Sequence, residues 1–199
     1  MTQLESTIDK YPGDYQFGAA LVSYACNPDA ETEPKLRSFL HSPSKIIGQK
    51  AGWALRVLNG LENAVKDMYG EKGFDGLSER QKRYEAVWMY DAEVNSGGHS
   101  QYFGNSSGGD YRWAIDGLRE MAALEKLGIL VEALQVFGPD GPPDDWEARR
   151  EIAYGFSEEQ LNFLDGLNDR YSVGKENVEM LLYLYVVDHK DDFRNRTGN

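Results

Sequence analysis

The residues best suited to chemistry crowd into positions 90–109, Tyr-Asp-Ala-Glu-Val-Asn-Ser-Gly-Gly-His-Ser-Gln-Tyr-Phe-Gly-Asn-Ser-Ser-Gly-Gly. The run opens on a helical pattern whose apolar face is Tyr84, Val87, Trp88 and Val94, and Asp91 falls on that face, one turn beyond Val87. A carboxylate directed at a core must be hydrogen-bonded or neutralised. Asp91 is therefore either an acceptor for the glycine turn, Gln101 or Asn105, or a catalytic acid. A small-ligand or immunity-type binding module around Asp91, Asn95, Gln101 and Asn105 is one functional reading of the cluster.

The same stretch carries a second possibility. Gly104-Asn105-Ser106-Ser107-Gly108 fits the G-x-S-x-G pattern of a nucleophile elbow. Asp165 or Asp169 and then His189 follow in the Ser, Asp, His order of that class. An elbow needs a strand feeding a strained turn, and no strand pattern precedes Gly104, so a serine hydrolase using Ser106 and His189 is only an alternative. His41, His99 and His189 lie far apart and form no H-E-x-x-H or Glu-x-x-His pair, so no metal is expected. Gly70-Glu71-Lys72-Gly73 lacks the phosphate-loop spacing and its Ser or Thr, and no cofactor is expected.

The elements that must position this cluster are helical. From about 44 to 69, Ile47, Ala51, Ala54, Leu58, Leu61, Val65 and Met68 follow a 4-3-4-3 spacing that predicts one long central helix. Gly48 and Gly52 on it would let another backbone come close, within the core or at a two-helix dimer seam. Ser78-Glu79-Arg80-Gln81 reads as a capping box opening a helix to about Asn95, which Gly97-Gly98 should stop. Asp110 should cap a third helix carrying Trp113, Leu118 and Met121, and a fourth passes through Leu127 and Leu130 to Phe137. Gly138-Pro139-Asp140-Gly141-Pro142-Pro143 is the strongest breaker.

Beyond it come a helix through Trp146 and Ile152, one capped by Ser157 and a last one over about 176–190. The fold class is all-α, with an N-terminal helical extension over residues 1–43 and the main domain over 44–199.

Of the 199 residues, 33 are acidic and 21 basic, a formal net charge of -12, with 41% hydrophobic residues, enough for a packed core. A pI near 4.7 excludes direct electrostatic binding of nucleic acid and disfavours an anionic membrane surface. Cys26 is the single cysteine, so no intramolecular disulfide forms. The first ten residues have no cationic start, and the longest apolar run, residues 181–187, falls far short of a span of about 20. A cytoplasmic location is expected.

From Glu93 to Gly108 the chain resembles the signature of the DNA-mimic protein C-terminal domain family, a domain otherwise of unknown function. That signature runs Glu-Val-Asn-Asn-Gly-Gly-Phe-x-Gln-Tyr-Phe-x-Asn-Ser-Ser-Gly. Asp91, Glu93, Asn95, Gly97, Gly98, Gln101, Tyr102 and Asn105 are the motif candidates, while Ser96 and His99 depart from the usual Asn and Phe. The resemblance implies an acidic, helical, dimeric protein. It also implies, for part of the family, a carboxylate-bearing surface that occupies a DNA-binding protein's site.

The charge is uneven in a way that suits such a role. Residues 1–70 carry a net -1, residues 71–138 a net -4 and residues 139–199 a net -7. The expected partner-binding surface is Asp144, Asp145, Glu147 and Glu151, then Glu158, Asp165 and Asp169 opposite the apolar face Leu161, Leu164, Leu167 and Tyr171. The expected function is non-enzymatic transcription regulation by protein–protein interaction with a basic DNA-binding protein, a helix-turn-helix regulator in the first instance.

Overall fold

The computed structural model describes residues 13–66, 68 and 73–194. Every regular element among them is helical, and no strand occurs. The α-helices are α1 (Asp14–Ala25), α2 (Thr32–Ser38), α3 (Lys45–Leu58), α4 (Glu79–Gly104), α5 (Tyr111–Glu120), α6 (Leu124–Ala133), α7 (Trp146–Tyr154), α8 (Glu158–Val173), α9 (Val178–Asp188) and α10 (Lys190–Phe193). They divide into two compact units, one spanning Lys82–Glu176, the other made of the described residues before and after it. This division does not fall at residue 43: α1 and α2 pack on α3 and share its core.

In the discontinuous unit, α3 is central. Leu21 of α1, Leu36 of α2 and Ala51, Ala54 and Leu55 of α3 are fully buried. A Cβ on Gly52 would sit 3.4 Å from Met180 and Tyr183 of α9, so the close approach foreseen at Gly48 and Gly52 is met within the chain. That face of α3 is therefore core and not a dimer seam.

The helix expected to reach residue 69 ends at Leu58. Gly60 takes a left-handed φ of +65°, and the N–H of Leu61 bonds back to the Arg56 carbonyl at 3.0 Å, the pairing of a Schellman stop. Leu61 and Ala64 stay buried in the turns that follow, which is why the apolar spacing outlasts the helix. The stretch 181–187 is helical, and His189 interrupts the last helix before α10.

Helix α4, which enters the continuous unit at Lys82, starts from a complete capping box: Gln81 N–H donates to Ser78 Oγ at 3.3 Å, and Ser78 N–H to Gln81 Oε1 at 2.9 Å. Gly117 on α5 lets that helix press against α4, since a Cβ there would meet the Arg83 carbonyl at 2.8 Å. Val87, Tyr90, Tyr102 and Phe103 of α4 are buried, as are Ala114, Leu118, Leu130, Leu164 and Tyr171, and the Tyr90 ring meets those of Tyr102 and Tyr171 edge-on at 5.0 and 5.5 Å. Trp88, placed on the apolar face by spacing alone, is instead exposed. Asp110 precedes α5 without a side-chain capping bond, because a 3-10 turn over Ser106–Asp110 leads straight into that helix. Ser157 and Gln160 complete the box that starts α8, as the sequence predicts.

Candidate functional site

The motif is built around a break in α4. Gly97 and Gly98 leave helical geometry, with φ/ψ of -151°/15° and 79°/-178°, and residues 99–104 form a short helix beyond them. Gly98 is required by its backbone, and Gly97 leaves room for the Gln101 side chain. A Cβ on Gly97 would lie 2.0 Å from Gln101 Oε1, and one on Gly98 would lie 2.4 Å from Asn168 Nδ2 in a left-handed backbone.

This break brings the motif's amides to Glu93. Gln101 Nε2 donates to Glu93 Oε2 at 2.6 Å, Asn105 Nδ2 to the same oxygen at 2.8 Å, and Ser107 Oγ to Oε1 at 3.4 Å. Asp91, the acceptor expected for these amides, instead accepts from the Tyr171 hydroxyl at 2.7 Å. The reason is angular: Glu93 lies two positions further round the helix, on the side to which the segment after the glycines returns. Asn95 does not join either; it is exposed, and its Nδ2 donates to the Asp91 carbonyl near the end of the first helical stretch.

His99, which stands where the family signature has Phe, is fully buried. Its ring lies 3.0 Å through Nε2 from the Tyr90 hydroxyl and 2.6 Å through Nδ1 from Asn168 Oδ1. Its backbone N–H donates to the same Oδ1 at 3.0 Å. Asn168 can only accept there, so Nδ1 carries the proton and Nε2 accepts from Tyr90. Burial pulls His99 below its ordinary pKa, and the Asn168 bond opposes that pull. Burial also drives Tyr90, Tyr102 and Tyr171 well above the usual phenol range, which keeps all three neutral.

Two residues that sequence reasoning missed tie the motif to the rest of its unit. Arg149, 1% exposed, donates from Nη1 to the carbonyls of Pro143 (3.1 Å) and Asp144 (3.3 Å), and from Nη2 to those of Asn105 and Ser106 (both 3.2 Å). Its spacing of four from buried Ala153 is the sequence signal that places it inward. Asn168 is the other. It sits four beyond Leu164 and three before Tyr171, within the apolar stripe of α8, where an amide signals a buried partner.

None of this geometry makes an elbow. Ser106 is exposed at the start of a 3-10 turn with no strand before it, and its carbonyl is engaged by Arg149. His189 belongs to the other unit, where its ring meets that of Tyr185 edge-on, with centroids 4.6 Å apart. Among the described residues no group of three or more His, Cys, Asp or Glu is placed to hold a metal ion.

The seven acidic candidates are all exposed. Asp145 caps α7 by accepting from the Ala148 N–H at 2.8 Å, Asp144 pairs with Arg112 at 2.6 Å, and Asp165 accepts from Asn168 Nδ2 at 3.2 Å. Among the described residues Glu147, Glu151, Glu158 and Asp169 take part in no ion pair. Leu161 departs from the expected apolar face of α8: it is 40% exposed and lines a cleft with Gln101, Gly104, Asn105, Ala153 and Tyr154.

The family model for DMP19-like proteins matches residues 75–189, more than half of the chain and the whole of the motif. The chain belongs to the DMP19-like protein family. The DMP19-like region thus runs from just before α4 to His189 and takes in all seven surface carboxylates. No curated protein and no solved structure matches the chain. Within the DMP19-like region, among the described residues, no helix is long and apolar enough to cross a membrane.

Proposed function

We propose that this protein is a non-enzymatic DNA mimic, acting by occupying the DNA-binding surface of a basic DNA-binding protein. Membership in the DMP19-like family carries this reading, because the motif of Glu93 to Gly108 resembles that of DNA-mimic proteins. The exposed carboxylates of α7 and α8 support it. On α8, Asp165 and Asp169 are one helical turn apart, about 6 Å along the axis, comparable to neighbouring phosphates on a strand. A basic groove that binds such a spacing gains electrostatic complementarity and a fast encounter.

The partner in this reading is a helix-turn-helix transcriptional regulator, met in the cytoplasm, with the acidic protein acting as a homodimer. The Glu93 network and the Arg149 cradle serve this surface structurally. They fix the turn that starts α7 to the motif, so Asp144 and Asp145 stand at set positions.

Affinity capture from the native cell extract at low salt, followed by a salt step, tests the proposal. A basic DNA-binding protein should elute, and Asp165→Asn with Asp169→Asn should weaken its binding by about tenfold. Binding that is indifferent to salt and to both substitutions would overturn the reading.

A further inference from the structure

The cleft beside the motif has two unlike walls. Gln101, Gly104 and Asn105 form one, and Ala153, Tyr154 and Leu161 the other, enclosing about 620 Å³. The first wall is polar and also carries Ser100; its Gln101 and Asn105 amide nitrogens are committed to Glu93, and the Gly104 carbonyl accepts from Trp146 Nε1 at 3.3 Å. The second wall is apolar and unusually bare. Tyr154 is 71% exposed and Leu161 40%, with Trp146 at 43% beside them.

Carboxylates flank these apolar side chains on both helices. On α7, Glu147 and Glu151 precede Tyr154 by seven and three residues; on α8, Glu158 and Asp165 lie three before and four after Leu161. At spacings of three and four, Glu151, Glu158 and Asp165 are surface neighbours of these side chains, while Glu147 lies two turns from Tyr154 on the same face of α7. The exposed cation among them is Arg150, whose guanidinium lies over the Trp146 and Tyr154 rings at 5.4 and 5.2 Å. The surrounding stretch, residues 139–176, holds 10 acidic and 4 basic residues. A cleft with one apolar wall, set between acidic helices, is the complement of a helix with an apolar stripe beside rows of Lys and Arg.

We propose that this cleft receives the apolar side chains of a basic amphipathic helix on the protein partner. The proposal rests on the reading of an acidic interaction protein and adds a contact that charge mimicry alone lacks. Nucleic acid presents no apolar anchor of this kind, so the cleft lets the protein bind a basic helix in a way that DNA does not, and that part of the binding persists when salt screens the carboxylates.

Two synthetic helical peptides of equal charge test it. One carries Leu at helical spacing among Lys residues, and the other carries Ser in place of Leu. Wild-type protein should bind the Leu peptide about tenfold more tightly than the Ser peptide, and should keep that preference at high salt. Tyr154→Ser with Leu161→Ser should abolish the preference while leaving Ser-peptide binding unchanged, and should lower the melting temperature by only a few degrees, since Tyr154 is exposed and Leu161 is only partly buried. Equal binding of the two peptides by wild type, or a preference that survives the double substitution, would overturn the proposal. Asp165→Asn with Asp169→Asn reports separately on the parent reading: it should weaken both peptides, and no change in either would defeat the charge-based function itself.

Discussion

A phenylalanine at position 99 would fill the aromatic space of His99 but would neither accept from Tyr90 nor donate to Asn168. His99→Phe should therefore cost about 1–3 kcal/mol near pH 8, because the buried Tyr90 hydroxyl loses its acceptor. The pH dependence distinguishes this from a packing effect. His99 lies below its ordinary pKa of 6.5 in the folded protein, so the unfolded chain binds the extra proton. Its contribution is intact above the ordinary value and is lost as pH falls through the folded value. Denaturant unfolding of wild type from about pH 8 to about pH 5 should show that loss, and His99→Phe should lack it; matching profiles would refute the assignment. Gly98→Ala should be worse, at about 2–4 kcal/mol, because φ of 79° is unfavourable to a side chain and the new methyl displaces Asn168 from His99. Apart from the glycines, little at this scale was legible beforehand. The sequence set a carboxylate and two amides near one another, but placing Glu93 rather than Asp91 at their centre required the path of the chain after Gly98.

Helix starts were the most legible features at the next scale. The boxes at Ser78 and Ser157 form as their spacing requires, because a capping box is a contact among four consecutive residues. Ser157→Ala should accordingly lower stability by about 1 kcal/mol in thermal or denaturant unfolding, without altering the motif's contacts. Helix ends were less legible. The apolar spacing from Ile47 to Met68 gave no sign of the stop at Leu58, since Leu61 and Ala64 remain buried after the helix has ended. The start of α6 shows the limit of local reading: Ala123 offers no side-chain cap, and Glu176 caps it from far along the chain, accepting from the Glu125 and Lys126 N–H groups, both at 2.9 Å. Leu161 illustrates the same limit, since periodicity put it inside and the cleft leaves it half in water.

At the scale of the whole molecule the governing quantity is the net charge of -12. Like charges repel within a compact protein, and salt screens them over about 10 Å at 0.1 M. Raising salt from about 0.02 to about 0.3 M should raise the melting temperature of the free protein by a few degrees while weakening its hold on a basic partner. A melting temperature that falls instead would show that the ion pairs, such as Arg170 with Glu132 and Arg80 with Asp192, outweigh the repulsion. The sequence by itself determined the helical class, the two capping-box helix starts, the glycine break, the family motif and the gathering of charge after Gly138. These depend on composition and on contacts between near neighbours in the chain. Only the tertiary structure decided that Glu93 gathers the amides, that His99 and Asn168 share a buried bond 69 residues apart, that Arg149 binds the motif's last carbonyls, and that Tyr154 and Leu161 face a cleft. Each of those depends on where two distant segments meet, and helical periodicity records which side of a helix is buried but not what is buried against it.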